Sequence, residues 1–376
     1  MKGDLLLLGI TGLAILVIPM AVLQASGSVA SSSPPAVGTP STTGAATDTG
    51  WQTTPIPGGQ AVELPTTPPA ESTAAAAPSS SAPPQQGNAA YPLPEGGFRI
   101  LDRTSKTVET VSVKDYLRGA IAAEMPASFH LEALKAQGVA ALSYALYHHD
   151  RQQQTPDPLL NGADFAADPT HRQGYMTEKA AKKFYGDNWQ YNWGKVCQAA
   201  EEAVRWVLLS HGQPIAAAYH AISTGTTEDA QNIWGQALPC LCSVDSSWDI
   251  LAKDYRSTVT LSQGQVREAL KDTEATLLPN ADTWFAVEQT SPAGYVTQVR
   301  VGNATMTGNQ LRNLLGLRSS SFSIERQGKS FLFRVAGYGH GAGLSQNGAD
   351  YMARQGKPFD EILRHYYHGV ALTPTQ

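Results

Sequence analysis

Cysteine is scarce in this chain, with three residues in 376, too few for a disulfide scaffold. Cys240 and Cys242 stand too close together for an ordinary bridge and are too few for a zinc knuckle, while Cys197 reads as a small buried helix residue. Lysine and arginine form no dense stripe, and the net charge is only −5, which argues against a nucleic-acid partner. No repeat of fixed period runs through the sequence. The glycine cluster Gly337 to Gly343 contains no G-x-G-x-x-G and no following Gly-Lys-Ser/Thr, which argues against a nucleotide site. Ser223 lacks a Gly-x-Ser-x-Gly elbow, so a triad of Ser223, His220 and Asp229 is disfavoured. His220, His340 and His365 lack the His-Glu-x-x-His spacing of a zinc hydrolase. No cofactor is expected.

What is present falls into three zones. Leu5 to Leu23 is a nearly unbroken apolar run with Lys2 as its flanking cation, about as long as the ~30 Å hydrocarbon core of a bilayer. A cleaved signal peptide fits less well, because the best cleavage site, Leu23-Gln24-Ala25, puts leucine at −3. Residues 1–25 are therefore expected to be a transmembrane anchor, and the chain a single-pass membrane protein with the remainder outside the cytoplasm. Residues 26–90 are rich in Ser, Thr, Pro, Ala and Gly and poor in large apolar side chains, the composition of a disordered linker. With ~65 residues its mean reach is on the order of 45 Å.

Residues 91–372 are ample for a large core. Strand-like runs (Phe98 to Leu101, Thr107 to Val111, Pro214 to Tyr219, Phe331 to Val335) mix with helical ones: Asp115 to Glu124, Phe129 to His149 capped by Ser128, Thr177 to Gly186, Gly194 to Ser210, Gln346 to Gln355 and Pro358 to Tyr367. The fold class is α+β, with a small α/β subdomain inserted at about 255–320.

Glu124 stands where the apolar stripe of Leu117, Ala120 and Ile121 should continue, and Pro126 ends that helix. A carboxyl at the tip of an apolar face is partly desolvated, which raises its pKa toward that of a general acid working near neutrality. Taken alone, such a residue is as a rule a solvated charge or half a salt bridge, and one position does not overturn that. The glycines alternating with Tyr338, His340 and Ala342 suggest a backbone pressed close to a neighbour with His340 exposed from it. Their N–H groups suit hydroxyl, acetamido or carboxylate groups of a ligand; a tight structural turn with a packed histidine is the alternative.

Several ordered blocks carry a family resemblance. Tyr116-Leu117-x-Gly119-x-Ile121-Ala-Ala-Glu124-Met-Pro126 is followed by Glu132-Ala-Leu-Lys-Ala-Gln137. Later come Tyr219-His-x-x-Ser223-x-Gly225-x-Thr227-Glu228 with Trp234-Gly235, then Leu314-Leu-Gly-Leu-Arg-Ser319, and finally Gly339-His-Gly-x-Gly343-Leu-Ser-Gln-x-Gly348-Ala349. From Phe98 to Gly369 the chain resembles the stage II sporulation protein D family of membrane-anchored lytic transglycosylases, which cut peptidoglycan glycan strands during engulfment of the forespore; amidase enhancers share the domain. The resemblance implies Glu124 as catalytic acid/base and places Ser223, Thr224, Gly225, His340, Gly341, Gly343, Ser345 and Gln346 on site-lining segments. It implies glycan strands, the membrane and other cell-wall hydrolases or engulfment proteins as partners, and in a sporulating cell a catalytic domain in the intermembrane space. A non-catalytic glycan-binding module that recruits or enhances an amidase is the alternative.

Two departures stand out. Many members carry a zinc-ligand cluster in the loop that here reads Asp164 to Gln173; the cysteines expected near Ala166 and Arg172 are missing and only His171 remains, so no zinc is expected there. Thr224 stands where glycine is common in the family.

Overall fold

The computed structural model describes residues 90–169 and 174–376. The expected anchor, and the expected linker up to residue 89, lie outside them. Among the described residues no helix is long and apolar enough to cross a membrane.

The described chain opens with β1 (Phe98–Asp102) and β2 (Val108–Val111), an antiparallel pair, and runs into α1 (Val113–Glu124) and α2 (Leu131–Gln154). Ser112 caps α1 by accepting the Asp115 N–H, and Met125 leaves the helix in extended geometry just ahead of Pro126, where a proline disfavours helical backbone. The expected cap at Ser128 is corrected: His130 caps α2 by accepting the Glu132 N–H. The small face of α2 lets helices approach closely, since a Cβ on Gly138 would lie 2.6 Å from Ala203 Cβ and 2.9 Å from Ile121 Cδ1.

Strand β3 (Phe165–Ala167) joins β1 in parallel, then α3 (Glu178–Tyr185) and α4 (Trp189–Ala203) follow. The single helix expected over Gly194 to Ser210 is corrected. It ends at Ala203, and Trp206–Ser210 is strand β4, whose buried Val207, Leu208 and Leu209 face the core while its backbone pairs with a C-terminal strand. The expected strand over Pro214 to Tyr219 resolves into two short pieces, β5 (Gln213–Pro214) and β6 (Tyr219–His220). Helix α5 (Ala230–Trp234) then leads to β7 (Arg256–Ser262), α6 (Gln263–Leu270), β8 (Phe285–Thr290), β9 (Val296–Val301), β10 (Ala304–Met306) and α7 (Gly308–Leu315). The chain finishes with β11 (Phe322–Gln327), β12 (Ser330–Ala336), β13 (Leu344–Ser345), α8 (Gln346–Arg354), α9 (Phe359–Tyr366) and β14 (Ala371–Pro374).

Two apolar cores result, and the architecture is mixed α and β. The larger gathers α1, α2 and α4 with β4, β6, α8 and α9 around Leu117, Ile121, Leu134, Val139 and Tyr366. The smaller lies among β7 to β12 with α6 and α7 around Trp284, Val299, Leu311 and Phe333. Its strands form two three-stranded sheets, β10-β9-β8 and β11-β12-β7. This second core draws on Phe331 and Val335 as well, beyond residue 320.

Candidate functional site

Glu124 is the last residue of α1 and is only 2% exposed. Its Oε1 accepts the Gly174 N–H at 3.0 Å. Burial raises its pKa from 4.5 to about 8, and the Gly174 hydrogen bond opposes the rise. A carboxyl in that condition is mostly neutral at pH 7, which a general acid needs. The Tyr175–Met176 segment that follows this donor packs on Gly119, five residues before Glu124 on α1: a Cβ there would stand 2.3 Å from Met176 O and from the Tyr175 ring. Tyr116, Tyr144 and Tyr219 surround the carboxyl within electrostatic reach; burial is the main cause that pushes their phenols up, and Glu124 adds to it.

Tyr219 links this carboxyl to the glycine turn. Its phenol lies within electrostatic reach of Glu124, while its backbone pairs with Leu344 of β13 and His220 pairs with Ser345. Its carbonyl also lies near the His340 ring. The expectation that His340 is exposed is corrected. It is buried, its ring centroid 5.3 Å from that of Trp234 and 5.8 Å from that of His220, both in tilted contact, because the alternating glycines let the turn sink into the fold. Ala342 fixes both imidazoles: its N–H donates to His340 Nδ1 and its carbonyl accepts from His220 Nδ1, each at 3.1 Å. Burial keeps both rings neutral at physiological pH, lowering His220 to about 4 against the opposing Ala342 hydrogen bond and His340 well below its usual range.

The turn after β6 packs on this pair and is held by both cores. Asp249 Oδ2 accepts the Ser223 N–H at 2.8 Å and the Ser246 hydroxyl at 3.1 Å. From the second core, Tyr295 Oη accepts the Thr224 N–H at 3.2 Å, and the Ala293 carbonyl accepts the Thr224 hydroxyl. The threonine that departs from the family's glycine thus anchors the turn through a side chain glycine lacks. Gly225 N–H donates to Ser223 Oγ at 3.1 Å. Glu228, buried, accepts from Asp229 N–H, Asn232 Nδ2 and the Ser291 hydroxyl, and its own N–H reaches the Gly341 carbonyl at 2.8 Å. Gly341 lies against Tyr295 so closely that a Cβ would meet Oη at 2.5 Å, at a φ of +93° that L side chains avoid.

The residues singled out in the sequence are therefore gathered in one region, with Tyr219 between Glu124 and the rest. Several spend their polar atoms inside the protein: Ser345 Oγ caps α8 through the Gly348 N–H, and Gln346 Nε2 donates to Gln137 Oε1 at 3.1 Å. Gly343 admits the Ala218 carbonyl, 2.0 Å from where its Cβ would be. Sequence reasoning missed Gly174, Asp249, Tyr295 and Arg312. Tyr219 and Gln137 fell inside recognised blocks without a role.

Thr170 to Gln173, including His171, lie outside the described residues. The described part of that loop does not fit a zinc ligand set: Ala166 has no donor atom, and Asp164 is committed to the Arg99 N–H at 2.8 Å and to His149 Nδ1 at 3.0 Å. Pairing of β3 with β1 holds the loop there.

Fold and site define an α+β domain organised around one buried, proton-holding carboxyl beside a glycine-rich turn. Residues 102–209 match the family described as stage II sporulation protein. The chain is similar to stage II sporulation protein D of Bacillus subtilis (strain 168), 30% identical over 72% of this chain and 76% of that protein. It is also similar to the protein of that name from Bacillus amyloliquefaciens, 32% identical over 72% of this chain and 77% of the other. The amidase enhancer of Bacillus subtilis is 26% identical over 68% of this chain and 40% of its own length. The chain belongs to the stage II sporulation protein D family.

Proposed function

We propose that the chain is a peptidoglycan lytic transglycosylase of sporulation, acting on the bond between N-acetylmuramic acid and N-acetylglucosamine, with Glu124 as its single acid/base. The observation that carries this reading is the buried carboxyl with a pKa of about 8 at the end of α1. Protonated Glu124 donates to the bridging oxygen as the bond from the muramyl anomeric carbon breaks. The resulting carboxylate, supported by the Gly174 N–H, takes the proton of the muramyl 6-hydroxyl as that oxygen closes on the anomeric carbon. The product is a 1,6-anhydro ring; no water is consumed and Glu124 ends protonated. An internal nucleophile has a high effective concentration, so one carboxyl suffices where hydrolases use two. Ser223, Thr224, Gly225, His340, Gly341, Gly343, Ser345 and Gln346 shape and support the sugar-holding turn in this reading. Membrane attachment through residues 1–25, with the domain outside the cytoplasm, is part of the same proposal, as are cell-wall partners.

The similarity to an amidase enhancer supports a second reading, a glycan-binding module that recruits or activates an amidase. Incubation with purified peptide-free glycan strands, followed by mass spectrometry, separates the two. Anhydromuramyl ends are expected; binding without such ends would leave the module reading.

A further inference from the structure

Arg312, on α7, is 3% exposed. Nε donates to the carbonyls of Leu317 at 3.3 Å and Arg318 at 3.2 Å, and Nη1 to Asn309 Oδ1 at 3.1 Å. All three acceptors are neutral. Among the described residues no carboxylate pairs with this guanidinium, and Nη2 makes no hydrogen bond. A buried ion without a counter-charge is costly, so an isolated cation here calls for an anion that is not part of the fold.

A second, independent observation lies beside it. His340 Nδ1 accepts the Ala342 N–H, so the neutral ring holds its proton on Nε2. That Nε2 is buried, in a residue 6% exposed, and has only a neutral backbone acceptor near it, the Tyr219 carbonyl, to which it closes no hydrogen bond of good geometry. The two groups are neighbours: the Arg318 carbonyl accepts both from Arg312 Nε and from the N–H of Gly339, the residue before His340. The guanidinium is also near enough to His340 and His220 to disfavour their protonation. A cationic donor and a neutral donor thus stand together without an acceptor of matching charge.

We propose that Arg312 and His340 form a carboxylate-binding pocket at the edge of the candidate site, and that it takes the lactyl carboxylate that a muramic acid residue carries on its ring. The assignment rests on the glycan reading above. Of the two sugars in such a strand, N-acetylglucosamine bears no carboxylate and N-acetylmuramic acid bears one. The pocket would therefore fix the register of the strand by placing a muramyl unit, rather than its neighbour, beside the turn.

The test is calorimetric titration of the full chain with the peptide-free disaccharide GlcNAc-MurNAc, which contains no bond of the cleaved type. Its lactyl methylamide, chitobiose and free D-lactate are titrated in parallel. The carboxylate disaccharide should bind roughly tenfold more tightly than its methylamide. Arg312→Gln should remove that difference, and Arg312→Lys, which keeps the charge without the fork, should retain part of it. Equal binding of carboxylate and methylamide to the wild type overturns the proposal, as does a difference that survives in Arg312→Gln. If Arg312→Gln fails to fold, the wild-type comparison and the lysine variant decide. D-lactate binding as tightly as the disaccharide would show a general anion pocket and overturn the sugar assignment. Discrimination by a protein that cuts no glycan would sink the proposed activity and leave this pocket standing; cleavage without discrimination would do the reverse.

Discussion

The Gly174 N–H donates to Glu124 Oε1 at 3.0 Å, joining two residues fifty positions apart. Among the described residues this bond is the one polar contact that moderates the effect of burial on the carboxyl, and it favours the charged form. The site thus holds a proton at neutral pH and also gives the carboxylate a partner once the proton has left.

Glu124→Gln keeps the shape and loses the proton. It should lower release of anhydromuramyl ends by about 10²–10⁴-fold while glycan binding, measured by calorimetry, stays within about threefold of wild type. In the wild type, kcat/KM should fall as pH rises through about 8, since the acid form is the active one. An unchanged cleavage rate in the glutamine variant would remove Glu124 from the mechanism.

Gly119 controls the same bond from the far side. An added Cβ would stand 2.3 Å from the Met176 carbonyl, a backbone atom that must then shift. Gly119→Ala should therefore destabilise the fold by about 1–3 kcal/mol and draw Gly174 away from the carboxyl. Loss of that donor raises the Glu124 pKa further, so the basic limb of the pH profile should move up while kcat drops. A melting curve and a pH–rate profile on one preparation check both.

How much of this was legible beforehand follows from what each residue must do locally. Glu124 was readable because helical periodicity runs into it and Pro126 marks the stop. The glycine turn was readable because alternating glycines are rare without a reason in the backbone. The burial of His340 was not, since it depends on Trp234 and His220 closing over the ring from elsewhere in the chain. The strand Trp206–Ser210 was hidden because its pairing partner, Ala371–Pro374, lies far away in sequence. Asp249, Tyr295 and Arg312 carry no local signal at all: Asp249 acquires its part when Ser223 and Ser246 are brought to it, and Tyr295 and Arg312 acquire theirs when the segment 255–320 is laid against the turn.

Tyr295, just ahead of β9, reaches the turn together with Ala293. Tyr295→Phe removes the acceptor of the Thr224 N–H and leaves a partly buried donor unpaired, at about 1–3 kcal/mol. The loosened turn should raise KM for glycan several-fold with a smaller change in kcat, because Glu124 is packed in the other core. A variant with wild-type KM would mean that the turn does not hold substrate.

The raised pKa of Glu124 also predicts how stability depends on pH. In the unfolded chain the carboxyl titrates near 4.5, in the folded protein near 8. Between those values the folded state binds more protons than the unfolded state, so this group's contribution to stability is complete below about pH 4.5 and is lost as pH rises through about 8. Glu124→Gln has no proton to lose there. The melting temperature of the wild type should consequently fall relative to that of the glutamine variant as pH is taken from 5 to 9. The two curves should run parallel above about pH 9, where the folded carboxyl has ionised. Differential scanning calorimetry on both proteins across that range reads the difference directly, and parallel curves throughout would mean that Glu124 is ionised at neutral pH and cannot serve as the acid.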